Sequence, residues 1–164
     1  MQLVLLYRIA KEEYLDDFSG VGASYEYGGR WNYPVDPVVY FAASPAIVLL
    51  EMGNYLVSPL HIPQTMRLGT YEIDDSVFNP RVVSIENLNE DWRDFPYPDT
   101  TQSLGSEWLK SNASLFMAVP SCAVPASPDW NYCVMNPQHP DRDNIKLVAI
   151  TNDIYNDRLF KNLK

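Results

Sequence analysis

An arginine, a tyrosine and a glutamate follow one another at intervals of ten and eleven residues: Arg30, Tyr40 and Glu51. Arg30 stands behind two glycines in Tyr27-Gly28-Gly29-Arg30-Trp31-Asn32. Tyr40 lies in the short apolar run 38–42, and Glu51 in an apolar stretch opened by Ser44-Pro45. These intervals match no common metal or phosphate-loop motif. A guanidinium behind flexible glycines can take an anion bidentately, with backbone N–H groups such as that of Gly29 adding donors. A tyrosine can stack on a flat ring and bond through its hydroxyl. A carboxylate amid apolar side chains is either paired or functional. Together they describe a site for an anionic, ring-bearing ligand, where a bond breaks to leave positive charge beside the carboxylate, as in glycoside hydrolysis. Each residue also has a plain structural role open to it. Arg30 could pair with Glu26, Tyr40 could be a core aromatic, and Glu51 could pair with Arg8 or Arg30.

The elements that must position these groups can be read from local pattern. Residues 3–9 predict a strand buried on both faces, with Arg8 on the face of Val4 and Leu6. Such a charge calls for a partner or a ligand, and reaching solvent from the strand end is the alternative. Residues 19–29 hold four glycines but no GxGxxG, so a dinucleotide fingerprint of the Rossmann kind is excluded. Residues 30–32 predict a short extended run halted by Pro34 and Pro37. Residues 38–42 predict a strand. Ser44-Pro45 is an N-cap followed by proline at the first helical position, and the helix is expected to run to about Val57, apolar nearly all round and buried. Further strands are expected at 66–73, 115–119 and 146–150, a short helix at 101–111 with Leu104 and Trp108 one turn apart, and a helical turn near 89–92. The stretch 75–100 and the one between Ser121 and Asn131 read as loops, the segment 136–140 is turn-rich, and no element is assigned to 131–135. Strands outnumber helices in an irregular order, which predicts an α+β fold in a single domain, 1–164.

The formal charge of −9 with twelve scattered Lys and Arg excludes a basic nucleic-acid footprint. No stretch approaches the length of a membrane span, and a cytoplasmic location is expected. Cys122 and Cys133 are spaced for neither a metal site nor a redox motif. They read as two small hydrophobes, with a single bridge between them as the alternative. His61 and His139 have no ligand-type neighbours, so no metal is expected. With no triad in view, Ser121 reads as a hydrogen-bonding group rather than a nucleophile. Asn136 either binds ligand or orders the proline-rich loop around it. Trp31, Trp108 and Trp130 read as core.

A set of motifs in order carries a family resemblance. It comprises Tyr7-Arg8, Gly22-Ala23, Gly28-Gly29-Arg30-Trp31-Asn32, Val39-Tyr40, 46–51, the run 101–109, Val119-Pro120-Ser121, Asn136-Pro137-Gln138-His139-Pro140 and the closing Asp157-Arg158-Leu159. The chain resembles the RES domain family, named for Arg, Glu and Ser. It departs from the family pattern after Asn32, where Tyr-Pro-Val-Asp-Pro replaces a segment that usually carries glycine, and in one extra residue between Asn131 and Asn136. The resemblance implies an ADP-ribosyltransferase-like fold, a mixed and mostly antiparallel sheet flanked by short helices. It implies a toxin of a bacterial toxin–antitoxin pair that consumes NAD⁺ without a metal, by hydrolysis, by phosphorolysis or by modifying a target. Arg30, Tyr40 and Glu51 would be catalytic, and Arg8, Gly29, Ser121 and Asn136 would bind NAD⁺. The implied partner is an Xre-type helix-turn-helix antitoxin whose C-terminal region blocks the cleft, in a hetero-oligomer, with a homodimer as a further assembly. Two other readings stand beside this one: an ADP-ribosyltransferase acting on a protein or nucleic acid, and a non-catalytic acidic binding module.

Overall fold

Nine residues, Leu3–Lys11, form β1, and β3 (Met66–Asp74) runs back along its whole length, from Leu3 opposite Asp74 to Lys11 opposite Met66. The computed structural model describes residues 2–54, 62–126 and 130–156. The expected end of the helix at Val57, His61 and the closing motif 157–159 lie outside the described residues. β2 (Val39–Ala42) meets β1 where Tyr7 faces Ala42, and pairs on its other side with β6 (Tyr132–Met135). β5 (Phe116–Val119) pairs with β6, β7 (Lys146–Thr151) closes one edge on β3, and the two-residue β4 (Arg81–Val82) closes the other on β5. The order is β4-β5-β6-β2-β1-β3-β7, antiparallel except for β4 with β5. This is the α+β architecture that the strand-rich pattern predicts.

Side chains alternate across a strand, so register assigns them to two faces. One face gathers Leu6, Phe41, Tyr71, Phe116 and Cys133. The other gathers Met117, Val119 and Val134 with Trp31 and Trp108, and further along Ala42 and Leu68 with Val48. Helices α2 (Pro45–Gly53) and α3 (Asp99–Ser111) supply Val48 and Trp108 to that second face. Between them the half-buried Tyr40 and Tyr132 stack at 5.6 Å between ring centroids. Ser44 caps α2 as expected, its hydroxyl accepting from the N–H of Ile47 at 3.3 Å.

Four local expectations are corrected. The first strand is not buried on both faces: Leu3 and Leu5 are 46% and 43% exposed, beyond the Tyr7 and Ile9 positions that pack with Val48. Helix α2 is not buried all round, because it lies on the surface of the sheet, with Val48 inward and Leu50 51% exposed. Residues 23–27 form a five-residue helix, α1 (Ala23–Tyr27), and Arg30–Asn32 turns back through a bridge between Gly29 and Asn32 instead of extending. β6 lies in a run where the sequence assigns no strand. Its four apolar residues are bounded by Asn131 and Asn136-Pro137, and a run so short carries no period. Trp31 and Trp108 are core as expected, Trp130 packs beside the first cluster, and both cysteines are free. No helix among the described residues is long and apolar enough to cross a membrane.

Candidate functional site

The turn 28–36 is built around Asn32, whose side chain is fully buried. Its Nδ2 donates to the carbonyls of Ser24 (2.8 Å) and Tyr33 (2.9 Å), and its Oδ1 accepts from the hydroxyl of Tyr40 at 2.7 Å. The N–H of Trp31 donates to that same hydroxyl at 3.3 Å. Tyr40 is therefore fixed by its oxygen and presents its ring. Gly29 has to be glycine here, since a Cβ would stand 2.6 Å from the Tyr40 hydroxyl. Its N–H, expected to face an anion, here donates to the carbonyl of Asn32 at 3.0 Å.

Helix α3 clamps this turn from outside. Gln102 Nε2 donates to the carbonyls of Gly29 (3.0 Å) and Asn32 (3.1 Å), and Ser106 donates to the carboxylate of Asp36. Gly105 lies so close to Trp31 that a Cβ would fall 1.8 Å from the Trp31 carbonyl oxygen. The turn also contains Val35 at φ 66°, a left-handed conformation costly for a β-branched residue. It falls in the segment that departs from the glycine-bearing family pattern.

Arg30 points to neither Glu26 nor Glu51. Its Nη1 donates to the carbonyls of Trp92 (2.5 Å) and Asp94 (3.0 Å), its Nη2 reaches that of Arg93 (3.4 Å), and its guanidinium lies 5.3 Å from the ring centroid of Tyr97. The thiol of Cys122 approaches the same Arg93 carbonyl at 3.6 Å. Residues 92–94 thus tie the arginine turn to the chain just after β5.

Glu51 extends from the inward side of α2, one turn after Ile47, to that same stretch. Its Oε1 accepts from the hydroxyl of Ser121 at 2.5 Å and its Oε2 from Nδ2 of Asn54 at 3.3 Å. Ser121 is itself fully buried. Its hydroxyl accepts from the N–H of Ala123 (3.1 Å), and its own N–H donates to Oδ1 of Asn131 at 2.6 Å. A carboxylate held through both oxygens, by Ser121 and Asn54, is a fixed negative charge suited to stabilising positive charge on a bound sugar.

The sequence model of the RES domain matches residues 5–155. The chain belongs to the RES domain family. It is 35% identical over 142 residues to "Toxin Res" of Yersinia enterocolitica, covering 83% of this chain and 86% of that one. It is 33% identical over 147 residues to the "Prs ADP-ribosylating toxin" of a Sphingobium species, covering 89% and 88%. The crystal structure of the Mycobacterium tuberculosis MbcT–MbcA toxin–antitoxin complex contains a chain of the same fold. The TM-score is 0.70 at 18% identity, covering 92% of this chain and 84% of that one.

Within this RES domain the motif residues do not all converge. Glu51 and Ser121 meet directly, and Tyr40 and Arg30 frame the same sheet face. Arg8 does not join them. The register puts it opposite Gly69, on the face of Phe41 and Tyr71, and its Nη1 holds the carbonyls of Tyr14 (3.2 Å) and Asp17 (3.0 Å). Asn136 is also elsewhere. Its Nδ2 donates to Oδ1 of Asn112 (2.8 Å) and toward the Leu109 carbonyl (3.4 Å), and its Oδ1 accepts from the N–H of Gln138 (2.9 Å). It orders the turn after β6 against the end of α3, which is the structural alternative named for it. Two residues near the site were given no role by the sequence: Tyr132, half of the stacked pair, and Asn131, behind Ser121. The signal available for Tyr132 was the short apolar run 132–135. For Asn131 none was available, because its role depends on a residue ten positions away. No group of three or more His, Cys, Asp or Glu side chains suited to a metal occurs among the described residues.

Proposed function

We propose that this RES domain is the toxin of a toxin–antitoxin pair and cleaves the nicotinamide–ribose bond of NAD⁺, with Glu51 as the residue that stabilises the reacting sugar. The observation that carries this is the Glu51 carboxylate held by Ser121 at the end of β5. As the C–N bond breaks, its electron pair leaves with the pyridinium nitrogen and neutralises it, and C1′ of the ribose becomes oxocarbenium-like. A fixed negative charge lowers the energy of that state more than that of the neutral sugar. The acceptor then bonds to C1′ through an oxygen and gives up a proton, if it bears one, to solvent. Ser121 is a positioning residue: its O–H donates to Oε1 and keeps the carboxylate from rotating. The ring of Tyr40, backed by Tyr132, offers a flat surface for the nicotinamide. Use of Arg30 on the pyrophosphate requires exchange of the 92–94 carbonyls for phosphate oxygens, which bind a guanidinium more strongly.

The names of the relatives support the toxin reading, and the MbcT–MbcA complex supports an antitoxin partner. The family resemblance adds that the antitoxin is of the helix-turn-helix Xre type and acts in the cytoplasm. Transfer of ADP-ribose to a macromolecule is the second reading, favoured by the printed name of the Sphingobium relative. Mass spectrometry of NAD⁺ incubated with the purified chain separates them: free ADP-ribose or its phosphate marks hydrolysis or phosphorolysis, and mass added to protein or nucleic acid marks transfer. Glu51→Gln, which keeps the Ser121 contact without the charge, is expected to lower nicotinamide release by about 10²–10³-fold and to leave folding intact. Wild-type activity in that variant would overturn the assignment of Glu51.

A further inference from the structure

The amide of Asn131 is used on one side only. The residue is buried, 7% exposed. Its main-chain carbonyl accepts from the N–H of Ala43 at 3.0 Å, and its Oδ1 accepts from the N–H of Ser121 at 2.6 Å. A backbone N–H can only donate, so the amide atom facing Ser121 is the oxygen and the flipped arrangement is excluded. That leaves Nδ2 on the other side, and it has no hydrogen-bond partner among the described residues. Buried donors without acceptors are rare in folded chains, because water has been given up with nothing in return. Among the described residues the other buried side-chain nitrogen or oxygen in this condition is Nε of Arg67. It has a charge partner, Oε2 of Glu12 at 3.5 Å. Asn131 has none, and it is one hydrogen bond from Ser121 and two from Glu51.

We infer that Asn131 is a ligand contact of this site, its Nδ2–H donating to an uncharged acceptor oxygen on the nicotinamide-riboside half of the dinucleotide while its Oδ1 positions Ser121. The inference rests on the NAD⁺ reading above and adds a recognition group to it. The acceptor is an oxygen lone pair, supplied either by the carboxamide carbonyl or by a ribose hydroxyl. Both are neutral, as a site already holding the Glu51 carboxylate requires. Oδ1 already accepts from the Ser121 N–H, and Nδ2 is the amide atom left without a partner.

Asn131→Asp keeps an oxygen for the Ser121 N–H and removes the N–H₂ donor. Nicotinamide or thionicotinamide release is measured for wild type and variant with three substrates. These are NAD⁺, its thionicotinamide analogue, and the analogue lacking the 2′-hydroxyl of the nicotinamide ribose. The inference expects kcat/KM for NAD⁺ to fall about 10–100-fold with the thermal midpoint retained. On one of the two analogues the loss shrinks below about threefold, and that analogue identifies the oxygen. The new carboxylate's repulsion of Glu51 lowers all three substrates alike, so it cancels from the comparison. A variant within threefold of wild type on NAD⁺, or one that loses the same factor on all three, overturns the inference. Wild type alone gives a reading independent of the variant's folding: relative to uncatalysed cleavage, one analogue must be disfavoured about tenfold, and equal handling of all three overturns the inference. Wild-type chain that releases no nicotinamide from NAD⁺ fails the functional reading itself, a result distinct from either of these.

Discussion

At the scale of single residues, the site is an arrangement of groups that hold one another. The Ser121 hydroxyl donates its one proton to Glu51 and accepts from the N–H of Ala123. It orients the carboxylate. Ser121→Ala is accordingly expected to lower kcat for nicotinamide release by about 10–100-fold, the equivalent of roughly 1.4–2.7 kcal/mol in the transition state, with KM changed less than threefold. Steady-state kinetics beside Glu51→Gln decide the point. A loss in Ser121→Ala deeper than that in Glu51→Gln would mean that the hydroxyl itself reacts. Tyr40 follows the same logic, because its oxygen is already bonded to Asn32 and to the N–H of Trp31. What it can offer a ligand is its ring.

At the scale of elements, α3 explains why a helix distant in sequence belongs to the motif set. Gln102, Gly105 and Ser106 are spaced three and one apart, so they face one side of the helix, and all three touch the turn that carries Arg30 and Asn32. The contact at Gly105 is backbone against backbone, which no rotamer change can relieve. Gly105→Ala should therefore destabilise the chain by about 3 kcal/mol or more. Gly53→Ala, with nothing near the new methyl group, should be neutral or stabilising by about 0.5–1 kcal/mol. Urea unfolding of the two variants checks this, and equal midpoints would contradict the packing described. The 92–94 segment is the other bridge between elements, taking Arg30 on one side and the Cys122 thiol on the other.

At the scale of the whole molecule, the sheet separates the face of Tyr71 and Phe41, here called structural, from the face of Tyr40 that α2 and α3 cover. Tyr71 anchors the structural face, its hydroxyl donating to the Leu15 carbonyl at 2.7 Å and its ring edge-on to Phe41 and Phe18. Burial pushes its phenol up to about 12, with the Arg8 guanidinium beside it pulling the other way. A phenol whose folded value lies above its unfolded value of 10.0 contributes stability that is complete below pH 10 and is lost as the pH rises toward 12. Unfolding free energies should therefore show wild type and Tyr71→Phe drawing together across that window, by on the order of 2 kcal/mol. A difference that stays constant would show that Tyr71 ionises alike in both states. Arg8 belongs to this face too, and strand register alone decides that: Tyr7 faces Ala42 below α2, so its neighbour must face the other way. The sequence by itself determined what depends on neighbours within a turn or two. That includes the Ser44-Pro45 start of α2, the place of Glu51 within its apolar run, the strand-rich α+β class, and the ordered motifs of the RES domain. Only the tertiary structure decided which partner each polar group takes. Arg30 meets carbonyls some sixty residues away, Ser121 meets Glu51 across seventy, and β6 becomes an interior strand because β2 and β5 lie on either side of it. Such pairings are set by sheet register and helix packing, which bring together groups that no local periodicity connects.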